Sequence, residues 1–111
     1  IHGATLHENC LIGMNSVIMD DSEIGQNTIV GALSFVQANE IIPPHSLAVG
    51  NPAKIVKTLS KEQIDWKTKG TEYYQRLPKD CIENLKECLP LDSIEENRPN
   101  QVSDYKTWKS T

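Results

Sequence analysis

LIGMNSVIMDDSEIGQNTIV, residues 11–30, places an aliphatic side chain at every sixth position: Ile12, Ile18, Ile24 and Val30. The rhythm runs outward without a break, back to Leu6 and forward through Val36, Ile42 and Ala48. Four residues after each aliphatic position comes a small or short side chain, at Cys10, Ser16, Ser22, Thr28, Ser34 and Ser46, with Glu40 the one misfit. Gly13, Gly25 and Gly31 directly follow aliphatic positions. A period of six matches neither an amphipathic helix, which repeats every ~3.6 residues, nor a strand that alternates every second residue. It matches a parallel β-helix in which each hexapeptide is one short strand and a corner. The aliphatic side chain then points inward and the small one fits a crowded corner. Glycine tolerates backbone geometry that a β-carbon disfavours.

Composition narrows the function classes. A chain of 111 residues holds one domain with an appendage. A formal net charge of −4 argues against nucleic acid or an anionic membrane surface as a partner. No apolar run approaches a membrane span. The three cysteines, Cys10, Cys81 and Cys88, form no C-x-x-C pair, and their odd number predicts a reduced, cytoplasmic protein. The opening Ile1-His2-Gly3 has no basic or apolar leader character and already lies inside a repeat. A solenoid interrupted there needs a cap, so the chain is expected to be the C-terminal part of a longer β-helix. The alternative is a short protein whose open end a partner covers.

After Ala48 the rhythm stops. Residues 49–56, with Gly50 and Pro52 as breakers, read as a turn-rich exit from the coil. Ser60 followed by Gln63 is a capping-box pattern that announces a helix. Ile64, Tyr74, Leu77, Cys81, Leu85 and Cys88 form its expected apolar face, with Cys81 and Cys88 as core. Gly70 and Pro78 predict two or three helical pieces, and Pro90 ends the last. The expected organisation is thus a hexapeptide β-helix over 1–57, a helical extension over 58–91 and a flexible polar tail over 92–111. Trp108 in that tail is expected to dock on a neighbouring surface.

His2-Gly3, the block Leu11-Ile12-Gly13-Met14-Asn15-Ser16-Val17-Ile18-Met19-Asp20 and the exit Val49-Gly50-Asn51-Pro52-Ala53-Lys54 together resemble the γ-class carbonic anhydrase-like hexapeptide proteins. Among these, the chain is most similar to the phenylacetic acid degradation and carnitine operon members. Trp66-Lys67, Glu72-Tyr73-Tyr74-Gln75 and Glu96-Asn97-Arg98-Pro99 resemble their C-terminal extension. The resemblance implies a left-handed β-helix, an exception to the usual right-handed crossover. It also implies a homotrimer that acts on a small molecule, with zinc held between subunits by three histidines. In the family pattern two of these lie in Gly-His-x-x-x-x-His-Gly, of which only the final pair is present, as His2-Gly3; Ala4 stands where relatives carry Cys. His2 is therefore the one metal ligand carried over. Its position, two after an aliphatic site, faces outward, where an imidazole can meet a shared ion.

Other candidates have plainer readings. His7 is expected to be a solvated corner residue, as are Asp20 and Asp21, since neighbouring side chains on a strand point to opposite faces. Cys10 at a small inward position reads as a buried thiol. His45 is the one histidine near the exit that could be weighed as a general base, and nothing near it supports that role. Lys54 is the cofactor-binding candidate, because in related coenzyme A-dependent transferases a lysine at the coil exit meets cofactor phosphates. Three functions follow: a zinc enzyme acting on carbon dioxide or a coenzyme A thioester, an acyl-coenzyme A transferase, or a non-catalytic trimeric accessory protein.

Overall fold

The computed structural model describes residues 1–99, 106 and 108. Seven two-residue strands recur every six residues: β1 (Thr5–Leu6), β2 (Leu11–Ile12), β3 (Val17–Ile18), β4 (Glu23–Ile24), β5 (Ile29–Val30), β6 (Phe35–Val36) and β7 (Ile41–Ile42). They are followed by β8 (Ser46–Val49), β9 (Lys54–Thr58) and one helix, α1 (Lys61–Asn84). Each short strand pairs in parallel with the strand three along the chain: Leu6 lies against Ile24, Ile12 against Val30, Ile18 against Val36. Three parallel sheets result, β1-β4-β7, β2-β5-β8 and β3-β6, with β9 added antiparallel to β8. The backbone therefore returns on itself every 18 residues, the separation of each partnered pair.

That return explains the sequence rhythm. The inward aliphatic residues stack into one column of core, and Ile18, Ile24, Val30, Val36, Ile42 and Ala48 are all essentially buried. Ile12 packs partly against this cluster, and Leu6 is 39% exposed. The short side chains four residues on do more than fit a corner. Ser22 and Thr28 are buried and donate their hydroxyls to the carbonyls of Met19 (2.6 Å) and Pro43 (2.9 Å); the Ser34 hydroxyl accepts from the Gly50 N–H (3.2 Å). A buried corner amide or carbonyl left unpaired would cost about 1–3 kcal/mol, so a hydroxyl at this position is stabilising.

The glycines that follow aliphatic positions have a different cause from the one expected. None of Gly13, Gly25 and Gly31 has positive φ. A β-carbon at Gly13 or Gly25 would lie 2.3 or 2.4 Å from a backbone nitrogen of the coil 18 residues on, so close approach excludes it. Left-handed backbone falls instead on a second six-residue series: Gly3, Asn9, Asn15, Asp21, Asn27, Leu33, Asn39 and His45, all with φ between 55° and 62°. Asn, Asp and Gly suit that conformation, whereas a branched aliphatic side chain does not.

Beyond the coils, the exit holds a strand where a loop was expected. β9 carries the chain back along β8, and the Leu59 N–H donates to the His45 carbonyl (2.7 Å). The capping box forms as expected, with Gln63 N–H on the Ser60 hydroxyl and the Gln63 side chain accepting from the Ser60 N–H. Two compact units divide the chain, residues 1–68 and 69–111. Within the first, the start of α1 is tied to the coils by Lys67. Its side chain is 2% exposed and donates to the Asn9 carbonyl (2.5 Å) and to the Asn9 side-chain oxygen. The Asn9 amide in turn donates to Asn27 and Thr68.

In the second unit, α1 continues through Gly70 and Pro78 as one helix rather than two or three pieces. Arg76 lies 5.7 Å over the Tyr73 ring, and the Tyr73 and Tyr74 rings meet edge to face. The expected apolar face is not a core: Tyr74, Cys81, Leu85 and Cys88 are exposed. Residues 85–99 form no helix or strand, and of the expected tail, residues 100–105, 107 and 109–111 lie outside the described residues. Among the described residues no helix is long and apolar enough to cross a membrane.

Leu33 is the one aliphatic residue in the left-handed series, and it is 73% exposed. Its conformation costs about 1 kcal/mol relative to a residue suited to it. Leu33→Asn is therefore expected to raise the thermal midpoint by a few degrees; an unchanged or lower midpoint would show that the Leu33 side chain contributes as much as its backbone costs.

Candidate functional site

His2 precedes the first left-handed corner, and the residue one full turn on, Asp20, lies beside it. The His2 N–H donates to the Ile18 carbonyl (3.0 Å) and the Asp21 N–H to the Gly3 carbonyl (2.9 Å), which fixes the two turns in register. Gly3 suits this corner in two ways. Its φ is +59°, and a β-carbon on it would lie 2.2 Å from Asp20 Oδ1. The space left by the missing side chain is where the Asp20 carboxylate sits.

From that place Asp20 reaches the imidazole. His2 Nδ1 and Asp20 Oδ1 are 2.5 Å apart. A carboxylate only accepts, so the shared proton belongs to Nδ1, which in the neutral imidazole leaves Nε2 with its lone pair. The His2 side chain is 84% exposed, so Nε2 is open to whatever lies outside the coil. A carboxylate holding one imidazole nitrogen while the other is left free is the arrangement that orients histidine ligands in metal sites. His2 thus fits one zinc ligand. The remaining donors are not supplied alongside it: among the described residues there is no group of three or more His, Cys, Asp or Glu side chains that could hold a metal.

The sequence missed both carboxylate partners. Asp20 reads as a solvated corner residue on its own, because the signal is its 18-residue offset from His2, visible once the period is multiplied by three sides. His7, also expected to be merely solvated, donates Nε2–H to Glu23 Oε1 at 2.6 Å, with both side chains half exposed. Lys54 opens β9 and is exposed, separate from both pairs in the sheet order. His45 is exposed at a left-handed corner, and its backbone bonds Gln26 and Leu59.

Cys10, expected to be buried, is partly buried. It packs partly against the core, and burial pushes its thiol up from the ordinary range, against a smaller downward pull from the Lys67 ammonium. Burial moves Lys67 the other way, making its ammonium easier to deprotonate, partly offset by Cys10.

The comparisons with known proteins agree with this architecture. Residues 3–38 match the family model described as bacterial transferase hexapeptide (six repeats). The chain is 41% identical over 99 residues to the carnitine operon protein CaiE of Salmonella agona, a match that covers 89% of this chain and 50% of that protein. The chain thus spans about half the length of that curated relative. Among solved structures it resembles a hexapeptide transferase family protein from Anaplasma phagocytophilum, with a TM-score of 0.66 and 28% identity over 69% of this chain and 46% of that one. It also resembles a galactoside acetyltransferase in complex with coenzyme A, with a TM-score of 0.50 and 32% identity over 53% of this chain and 28% of that one.

The raised thiol of Cys10 has a consequence for reactivity. Thiolate is the reacting form, so at about pH 8.5 Cys10 should alkylate more slowly than the exposed Cys81 and Cys88. The sign carries over to stability: a thiol raised in the fold favours the folded state below the ordinary thiol range, and that contribution is lost as pH rises through the raised value. Mass spectrometry of a timed iodoacetamide reaction should show two fast sites and one slow. Equal rates at all three would place Cys10 outside the core.

Proposed function

Since this chain belongs to the hexapeptide-repeat family and is similar to its carnitine operon members, we propose that it forms part of a zinc-dependent enzyme that hydrolyses coenzyme A thioesters. Hydration of carbon dioxide is the same chemistry on a smaller electrophile. The observation that supports it is His2, with Nδ1 held by Asp20 and Nε2 left outward. Bound zinc would lower the pKa of a coordinated water to near neutrality. The part of this chain is to supply one oriented ligand, and Asp20 keeps that imidazole in the required tautomer.

The family's left-handed coil and homotrimer belong to the same proposal. Val17 and Ile41, on two different outward sheet faces, are 48% and 68% exposed. Closed three-fold packing would cover such surface and bring His2 to a subunit boundary. Coils 1–57 would carry the chemistry, and the region 58–91 the helical extension. Three free cysteines support a reducing, cytoplasmic setting.

A second function, acyl transfer from a coenzyme A thioester to an acceptor hydroxyl, is favoured by one observation, the resemblance to an acetyltransferase whose structure contains coenzyme A. Lys54, exposed at the start of β9, would then meet the cofactor phosphates. An acceptor-dependent release of free thiol separates transfer from hydrolysis.

Zinc content decides the first proposal. The chain alone offers one histidine per site and is expected to bind zinc weakly. A chain extended ahead of Ile1 by residues that complete the Gly-His-x-x-x-x-His-Gly pattern and add the third histidine should take up about one zinc per subunit. His2→Ala in the extended chain should lose most of it. Stoichiometric zinc in the unextended chain, or undiminished zinc after His2→Ala, would contradict the assignment of His2.

A further inference from the structure

Two imidazoles flank β1 in the chain, and they are held by opposite nitrogens. β1 lies between His2 and His7 in the chain, with Thr5 stacked on Glu23 and Leu6 on Ile24. Leu6 and Ile24 belong to the inward series, so Thr5 and Glu23 face out between the two histidines. Asp20 takes His2 by Nδ1, whereas Glu23 takes His7 by Nε2 at 2.6 Å. Because the Glu23 carboxylate only accepts, His7 donates from Nε2, and in the neutral imidazole the lone pair is then on Nδ1. The His7 side chain as a whole is half exposed. His7 occupies the position that holds Gly13, Gly25 and Gly31 in some later coils and Met19, Gln37, Pro43 and Val49 in others, so the six-residue pattern admits a side chain there but does not select an imidazole.

We propose that His7, oriented by Glu23, is a general base for hydrolysis of the thioester that this face takes, an assignment that rests on the function proposed above. His7 Nδ1 removes a proton from water as the water oxygen bonds to the thioester carbonyl carbon. The tetrahedral adduct then collapses with breakage of the carbon–sulfur bond, and the imidazolium returns its proton to the leaving thiolate. Thioester and water become carboxylic acid and thiol, and the imidazole is restored. Glu23 acts as a positioning residue: it fixes the tautomer and steadies the imidazolium while it carries the extra proton. Groups with this duty typically contribute about 10²–10⁴-fold to rate.

The test combines a turnover-independent measurement with a kinetic one on the zinc-loaded extended chain. In the wild-type protein, long-range proton–nitrogen spectra should show His7 protonated at Nε2 and unprotonated at Nδ1, and Glu23→Gln should weaken that preference. With acetyl-coenzyme A as probe, His7→Gln should lower kcat by about 100-fold or more while KM changes little. His7→Gly should recover part of that loss on addition of imidazole, a rescue that a structural role would not give. Thermal melting of each variant separates unfolding from loss of chemistry. An Nδ1-protonated His7 in the wild type overturns the proposal whatever the turnover. Undiminished hydrolysis by His7→Gln, with an unchanged pH profile, overturns the role of His7 and leaves the thioesterase function standing. Absence of any thioester hydrolysis by the zinc-loaded extended chain overturns both.

Discussion

Closure of the backbone after three hexapeptides is the constraint on which the rest depends. Each residue is stacked on the one 18 positions away, so a choice made in one coil must be compatible with its neighbours above and below. Inward positions therefore accept one kind of side chain, and the buried column from Ile18 to Ala48 is continuous. Two-residue strands have little stability alone; here each is held by pairing on its sheet and by the shared core. The corners obey the same rule. A left-handed residue recurs in every hexapeptide from Gly3 to His45, and a hydroxyl or thiol recurs four residues after most aliphatic positions.

Stacking also builds the site. Asp20 comes to His2, and Glu23 to His7, through register alone, with no loop or insertion to carry them. The same spacing that buries Ile24 under Leu6 puts a carboxylate beside an imidazole on the outer surface. The deletion of one side chain, at Gly3, gives Asp20 its room. Fold and chemistry are thus not separable here: a slip of one residue would turn the core outward and separate both pairs.

Most of the core was legible, because one aliphatic residue in six is a local signal repeated eight times, and six of the eight, from Ile18 to Ala48, are buried. The turns were half legible. Glycine after the aliphatic position attracted a conformational explanation, whereas close approach of the next coil is the cause. Asparagine and aspartate at Asn9, Asn15, Asp21, Asn27 and Asn39 carried the left-handed signal in plain view. The carboxylate partners were hidden, since they are defined by an offset of three hexapeptides rather than by any local motif. α1 was misread for another reason. Helical spacing from Tyr74 to Cys88 suggested a buried face, but the side chain α1 buries is Lys67, held by a backbone carbonyl and an amide. Hydrophobic periodicity does not see an anchor of that kind.

The register itself can be tested at one position. Ile24 is completely buried in the centre of the column, flanked by its partners Leu6 and Ile42. Ile24→Asp would place an unpaired carboxylate where neither water nor a cation can reach it, at a cost of several kcal/mol. Thermal unfolding of that variant, followed by circular dichroism, should show a midpoint far below that of the unaltered chain or no cooperative transition at all. A melting curve like that of the unaltered protein would mean that Ile24 does not face the core and that the six-residue register is wrong.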